Sequence, residues 1–253
     1  MSSKPLLRIG AHPISWEEAI RYLQKGQKLD ALVGEIVRQY VLEQALAEQA
    51  TAIDAAAVAQ AIADFRTQNR LSDPVAFQQW LAKNGITAEQ FQRQVRAGFE
   101  VRALKEAIAL PKLQQYFIER KLYLDRVVLS RIIVDDKDLM EELRHQLSGA
   151  AASFEDLARE FSITDDHIVN GMVGPVSRGT MPDALRALMD EAKPRDIVGP
   201  LYMEDRWGLF RVEAVLPASL ENNALKQTLI DELFEQWLAE KIEALPIQLQ
   251  VDA

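Results

Sequence analysis

The side chains able to do chemistry are few in this sequence, and their spacing excludes most kinds of it. The three histidines, His12, His145 and His167, lie in unrelated segments. Asp165-Asp166-His167 sets carboxylates beside an imidazole, and it reads as a polar loop in preference to a metal site. Cysteine is absent, so disulfides and thiolate-bound metals are excluded. Neither a G-x-S-x-G nucleophile turn nor a phosphate-cradling glycine loop occurs. Trp16, Trp80 and Trp237 fall on apolar helical faces, where core or interdomain packing is expected over stacking on a ligand. No cofactor and no metal are expected.

The elements that must position any site come in two textures. From residue 15 to about 125 the apolar period is helical. Ser15, with Glu18 three positions on, is a capping-box start. Leu32, Ile36, Tyr40, Val41 and Leu46 lie along one face of a long second helix, widened by Val33 and Val37. Asp54 caps a third helix. Asp73-Pro74 opens the next, with proline in the first turn where its missing N–H costs nothing, and Asn84-Gly85 stops it. Thr87 with Gln90 opens another helix through Phe91, Val95, Phe99 and Leu104. Pro111 begins or interrupts a last one, ending near Tyr123.

The texture then changes. Arg126–Val134 is rich in β-branched residues and short, so it reads as a strand. Residues 135–147 and 153–161 are helical, 163–179 are loop and short strand, and 182–189 form a short helix. Residues 197–203 and 207–215 read as a hairpin turning at 204–206. Residues 219–245 close the chain as one amphipathic helix, whose apolar stripe needs a partner and finds an economical one in the N-terminal helices. The expected fold is α+β: a β-α-α-β-α-β-β domain at 126–216, inserted into an all-helical domain made of 1–125 and the helix within 217–253.

Composition narrows the function. With 48% of 253 residues apolar, the chain buries a core without staples. The net charge of −9 is concentrated late: residues 1–125 hold 16 Lys and Arg against 14 Asp and Glu, 126–216 hold 11 against 17, and 217–253 hold 2 against 7. Such a C-terminal half repels phosphate backbones, so no nucleic-acid partner is expected. Residues 1–10 have no apolar h-region and no stretch is long enough to span a bilayer, so a cytoplasmic chain without membrane insertion is the expectation.

Residues 154–212 resemble the parvulin, or PpiC-type rotamase, family. Phe154, Leu157, Ala158 and Ser162 match its F-x-x-L-A-x-x-x-S. Gly171-Met172-Val173-Gly174 and Ser177-Arg178-Gly179-Thr180-Met181 match G-x-L-G and S-R-G-x-M, and Lys193-Pro194, Gly199-Pro200 and Trp207-Gly208-Leu209-Phe210 follow in register. The helices before it are similar to the N-terminal region of SurA-type chaperones, through Phe77, Leu81, Gly85-Ile86-Thr87 and Phe91. The resemblance implies a parvulin-like domain in a SurA-like helical one, acting as a peptidyl-prolyl isomerase and chaperone on unfolded or proline-containing polypeptides. Two alternatives stand beside it: an inactive parvulin-like chaperone, and an accessory protein of a peptide-processing or secretion system.

Rotating an amide faces a barrier of about 18–20 kcal/mol set by resonance, and at X-Pro the two ground states lie close in energy. An apolar socket, exclusion of water and a hydrogen bond suited to the twisted form suffice to lower it. The family's Leu, Met and Phe around the proline ring fall on Val173, Met181 and Leu185, with Phe210 beside them; residue type alone allows Met181 and Leu185 to be plain core. The family's two histidines fall on Arg131 and Phe210, and its Cys or Asp on Thr164, with Asp165 next along as a substitute. Thr164 is a neutral hydroxyl and Phe210 cannot hydrogen-bond. Arg131 has two readings, a solvent-facing strand residue or a donor to a substrate carbonyl. Residues 134–137 carry no basic cluster, so selectivity for phosphorylated sites is not expected.

Overall fold

The computed structural model describes residues 5–49 and 52–249; Met1–Lys4, part of the segment read above for a leader, lie outside the described residues. The chain divides into two compact units, one made of Met1–Leu113 with Ile230–Ala253, the other of Gln114–Leu229. A discontinuous helical unit thus receives an inserted α+β unit.

In the first unit, β1 (Leu7–Ile9) and β2 (His12–Ile14) pair as a short antiparallel hairpin. It was not expected, because three-residue strands show no alternation to read. α1 (Trp16–Lys25) opens on the expected capping box, Ser15 and Glu18 each satisfying the other's backbone N–H. α2 (Leu29–Gln49), α3 (Ala55–Gln68) and α4 (Pro74–Lys83) follow, the last two capped by Asp54 and Asp73. Phe77, Leu81 and Phe91 form a core with Phe65 and Trp80 packed ring against ring. Trp16 corrects an expectation: it is 59% exposed, since α1 buries no residue.

α5 (Ala88–Leu124) runs unbroken for 37 residues with Pro111 inside it, where a helix boundary was expected. Leu104, Ala109 and Leu113 are buried around the proline, and this packing holds the helix through the missing hydrogen bond. On α2 the packed seam is the buried Val41 with the partly buried Val37 and Ala45, while Leu32, Ile36 and Tyr40 are exposed. The helix is turned one residue from the expected face because the seam packs on Leu104 of α5 and on two C-terminal residues, Phe234 and Leu238.

The second unit begins with β3 (Arg126–Val134), α6 (Lys137–Ser148), α7 (Phe154–Phe161) and a 3-10 turn at Asp165–Val169. β4 (Met172–Ser177), α8 (Asp183–Glu191), β5 (Ile197–Met203) and β6 (Arg206–Leu216) complete it, and α9 (Asn223–Glu243) leads back to the helical unit. The sheet is antiparallel in the order β4-β3-β6-β5. Strand alternation sorts β3. Ile132 and Val134 join Met140, Leu143, Phe154 and Leu157 under α6 and α7, whereas Val127 and Leu129 join Leu185, Met189 and Phe210 under α8.

The S-R-G run is largely structural. Ser177 Oγ donates to the Tyr123 carbonyl at 2.7 Å, and the Arg178 N–H donates to the Asp125 carbonyl at 3.0 Å. Asp125, a buried carboxylate, accepts from Lys121 Nζ at 2.7 Å and from the Ala218 N–H at 2.8 Å, with the Arg178 guanidinium 3.6 Å away. A Cβ on Gly179 would sit 2.3 Å from the Tyr123 ring, so only glycine allows this approach. The run therefore clasps the segments on either side of the sheet, Asp125 before β3 and Ala218 after β6, and it also ion-pairs Arg178 to Asp190 of α8.

Candidate functional site

A hollow of about 240 Å³ opens on the α8 side of the sheet. Arg131 and Ile133 reach it from β3, Gly208 and Phe210 from β6, Leu185 from α8 with Pro182 just before it, and Met203, Glu204 and Arg206 from the β5–β6 turn. Thr164 closes one side. Arg131 and Phe210 are direct cross-strand partners. Phe210 and Leu185 are nearly sealed and form an apolar floor. A Cβ at Gly208 would stand 2.8 Å from the Phe210 ring and 2.9 Å from Ile133 Cδ1, so the glycine keeps this space open.

The polar wall is a directed hydrogen-bond chain. The Ile133 N–H donates to Ser162 Oγ at 3.1 Å, and Ser162 Oγ lies 3.0 Å from Thr164 Oγ1. Thr164 Oγ1 donates to Asp166 Oδ1 at 2.7 Å. A hydroxyl has one proton, and an ionised carboxylate can only accept. Ser162 is therefore the donor to Thr164. At the far end Arg131 places Nε at 2.8 Å and Nη2 at 2.7 Å from Asp166 Oδ2. The carboxylate is mostly buried and the guanidinium about one third exposed.

Three expectations change. Val173 does not line the hollow: Leu129 pairs with Gly174 and Ser130 with Met172, so Val173 is the extra residue of a β-bulge and is exposed on β4. Met181 packs in the same apolar cluster as Leu185 and Phe210 without lining the hollow. Asp165 is exposed in the first turn of the 3-10 segment, and the carboxylate that faces Arg131 and Thr164 is Asp166. Thr164, Arg131, Leu185 and Phe210 all line the same hollow.

A larger hollow of about 840 Å³ lies beside α7 and the start of β5. Its charges answer one another. Arg211 lies between Glu155 at 2.7 Å and Glu213 at 2.8 Å, over the Phe154 ring, and its hydrogen bond to Glu155 holds that carboxyl below its usual range. Among the described residues no group of three or more His, Asp or Glu side chains is placed to hold a metal, and no helix is long and apolar enough to cross a membrane.

A family model described as the rotamase, PPIC-type PPIASE domain matches residues 131–214, the span that contains every wall of the smaller hollow. Residues 131–214 belong to the PPIC-type rotamase family. The chaperone SurA of Bordetella pertussis is 28% identical to the chain over 119 residues, covering 43% of this chain and 23% of that protein; SurA of Bordetella parapertussis gives the same figures. The chain thus spans under a quarter of the length of the curated relatives it matches. Among solved structures, the peptidylprolyl isomerase PrsA from Bacillus cereus is 15% identical with a TM-score of 0.44, over 98% of this chain and 95% of that one. A SurA-like chaperone structure from Campylobacter jejuni is 14% identical with a TM-score of 0.37, over 94% and 96%.

Within the rotamase domain, the sequence reading missed Ser162, Asp166, Gly208 and the β5–β6 turn. The Thr164-x-Asp166 spacing was the available signal, since residues two apart on a tight turn can bond side chain to side chain.

Proposed function

We propose that the chain is a peptidyl-prolyl cis-trans isomerase and folding chaperone that binds X-Pro segments of unfolded or exported polypeptides. The observation that carries this reading is the apolar hollow floored by Leu185 and Phe210 inside the rotamase segment. Sites for whole small molecules run to about 300–1,000 Å³, and a hollow of 240 Å³ suits one side chain, such as a pyrrolidine ring. Arg131 has Nη1 left over from its contacts with Asp166 and can donate to the substrate amide. As that amide twists, its nitrogen lone pair localises, and a donor held nearby gains strength in the transition state.

Exchange NMR on an Ala-Pro peptide with substoichiometric protein tests the reading. Acceleration of cis/trans exchange supports it, and unchanged line shapes remove the catalytic part. The replacement of both family histidines, by Arg131 and Phe210, favours a second reading, a peptide-holding chaperone without turnover. That reading gives suppressed aggregation of an unfolded client and no exchange.

A further inference from the structure

Arg131 and Thr164 face the hollow, yet what fixes both is a residue that does not line it. Asp166 accepts the Arg131 Nε–H on one carboxylate oxygen, which also stands 2.7 Å from Nη2, and accepts the Thr164 O–H on the other. We propose that Asp166 is the positioning residue of this site, acting on substrate only through Arg131 and Thr164. The inference rests on the isomerase reading above and deepens it.

The argument is one of degrees of freedom and protons. A free arginine side chain has many rotamers, and the entropy lost in fixing it opposes any contact it makes. Asp166 fixes Arg131 before substrate arrives and leaves Nη1 as the guanidinium nitrogen not engaged by the carboxylate. The same carboxylate takes the only proton of Thr164, while Ser162 donates to Thr164 from behind. Thr164 then has a lone pair and no proton to offer the hollow. The site becomes one fixed donor beside one fixed acceptor, both held by the same carboxylate and able to meet a substrate amide and its neighbouring N–H. The backbone supports the register: the Arg131 N–H donates to the Gly171 carbonyl at 2.8 Å, and Gly171 has no Cβ, which would lie 2.3 Å from the Arg131 carbonyl oxygen.

The test compares wild type, Asp166→Ala, Asp166→Asn, Arg131→Ala and the double variant Arg131→Ala/Asp166→Ala in the Ala-Pro exchange assay, resolving kcat and KM. Asp166→Ala is expected to lower kcat by about tenfold or more and to change KM by less than about threefold, because the apolar floor is untouched. The double variant is expected to be no slower than Arg131→Ala, because the two residues act as one unit. Side-chain NMR of ¹⁵N-labelled arginine adds a readout independent of turnover: the Arg131 Nε–H resonance is protected from exchange in wild type and loses protection in Asp166→Ala. The near-isosteric Asp166→Asn supplies the same comparisons should the alanine variant not fold. An active wild type whose kcat is unmoved by Asp166 substitution, or a double variant with additive losses, overturns this inference alone. A wild type without turnover overturns the isomerase reading and this inference with it.

Discussion

Arg38 of α2 and Glu235 of α9 stand 197 positions apart in sequence and meet in a two-pronged ion pair, Nη1 to Oε2 at 2.6 Å and Nη2 to Oε1 at 2.7 Å. Lys105 of α5 and Asp231 of α9 add a second link at 2.7 Å. Between the two links, Phe234 and Leu238 enter the core with Val41 and Leu104. The last helix therefore packs on its own chain, and its apolar stripe is covered by residues that the inserted unit separates from it in sequence.

The Arg38–Glu235 pair gives stability a defined acid limb. The hydrogen bond from Arg38 holds the Glu235 carboxyl below its usual 4.5, against the opposing effect of burial. A carboxyl lowered in the folded state contributes stability that is present above the unfolded value, near 4.5, and is lost as pH falls through the lower folded value. Both side chains are about half exposed, so the pair is worth at most about 1 kcal/mol. Denaturation of wild type and Glu235→Gln should differ at pH 7 and converge as pH falls below 4.5 and through the lowered folded value. Curves that stay equally separated at both ends of that range would rule the assignment out.

Asp125 is a buried and heavily committed carboxylate of the inserted unit. Asp125→Ala removes the carboxylate partner of Lys121 and one of the two carboxylates beside Arg178, which keeps Asp190, and it leaves the Ala218 N–H without its acceptor. Removing one partner of a buried charge cluster costs about 3–5 kcal/mol, and the partial exposure of Lys121 puts this case near the lower figure. Urea denaturation followed by circular dichroism should show the loss, with Asp125→Asn intermediate because one side-chain oxygen still accepts. A loss under about 1 kcal/mol would mean that the S-R-G clasp is not structural.

Much of the architecture was legible, for physical reasons that can be named. Caps announce helix starts, and Ser15, Asp54, Asp73 and Ser153 each bond a backbone N–H of the first turn. Strand β3 was legible because β-branched residues run its full length. What failed were features decided by contacts distant in sequence. The rotation of α2 depends on α5 and α9, and a bulge that ejects Val173 leaves no mark on a G-x-x-G spacing. Leu185 and Phe210 were legible through their register in the rotamase resemblance, because residue type alone allows Leu185 to be plain core. Asp166 was missed beside Asp165 because the turn, not the composition, decides which carboxylate faces inward.

Pro111 offers a gain of stability. Proline in a helix interior costs about 3 kcal/mol through a lost hydrogen bond and a clash with the carbonyl four residues back. Pro111→Ala restores an N–H that can reach the Ala107 carbonyl, and it gives up less than about 1 kcal/mol of unfolded-state restriction. The net expectation is about 2 kcal/mol of added stability, read as a higher urea midpoint of the helical signal. A lower midpoint would show that α5 requires a bend at this position.

Gly208 and Asp166 should separate binding from turnover. A methyl group at Gly208 enters the hollow within 2.9 Å of both the Phe210 ring and Ile133 Cδ1, so those side chains must yield into the space meant for the substrate. Overpacking of this kind costs about 1–3 kcal/mol, and here the cost falls on whatever occupies the hollow. The methyl group touches neither Arg131 nor Asp166 among its nearest neighbours. Gly208→Ala should therefore raise KM for an Ala-Pro peptide by about tenfold and leave kcat within about twofold, the reverse of the pattern expected for Asp166→Ala. An unchanged KM for Gly208→Ala, in a protein that still turns over, would place the proline ring somewhere other than this hollow.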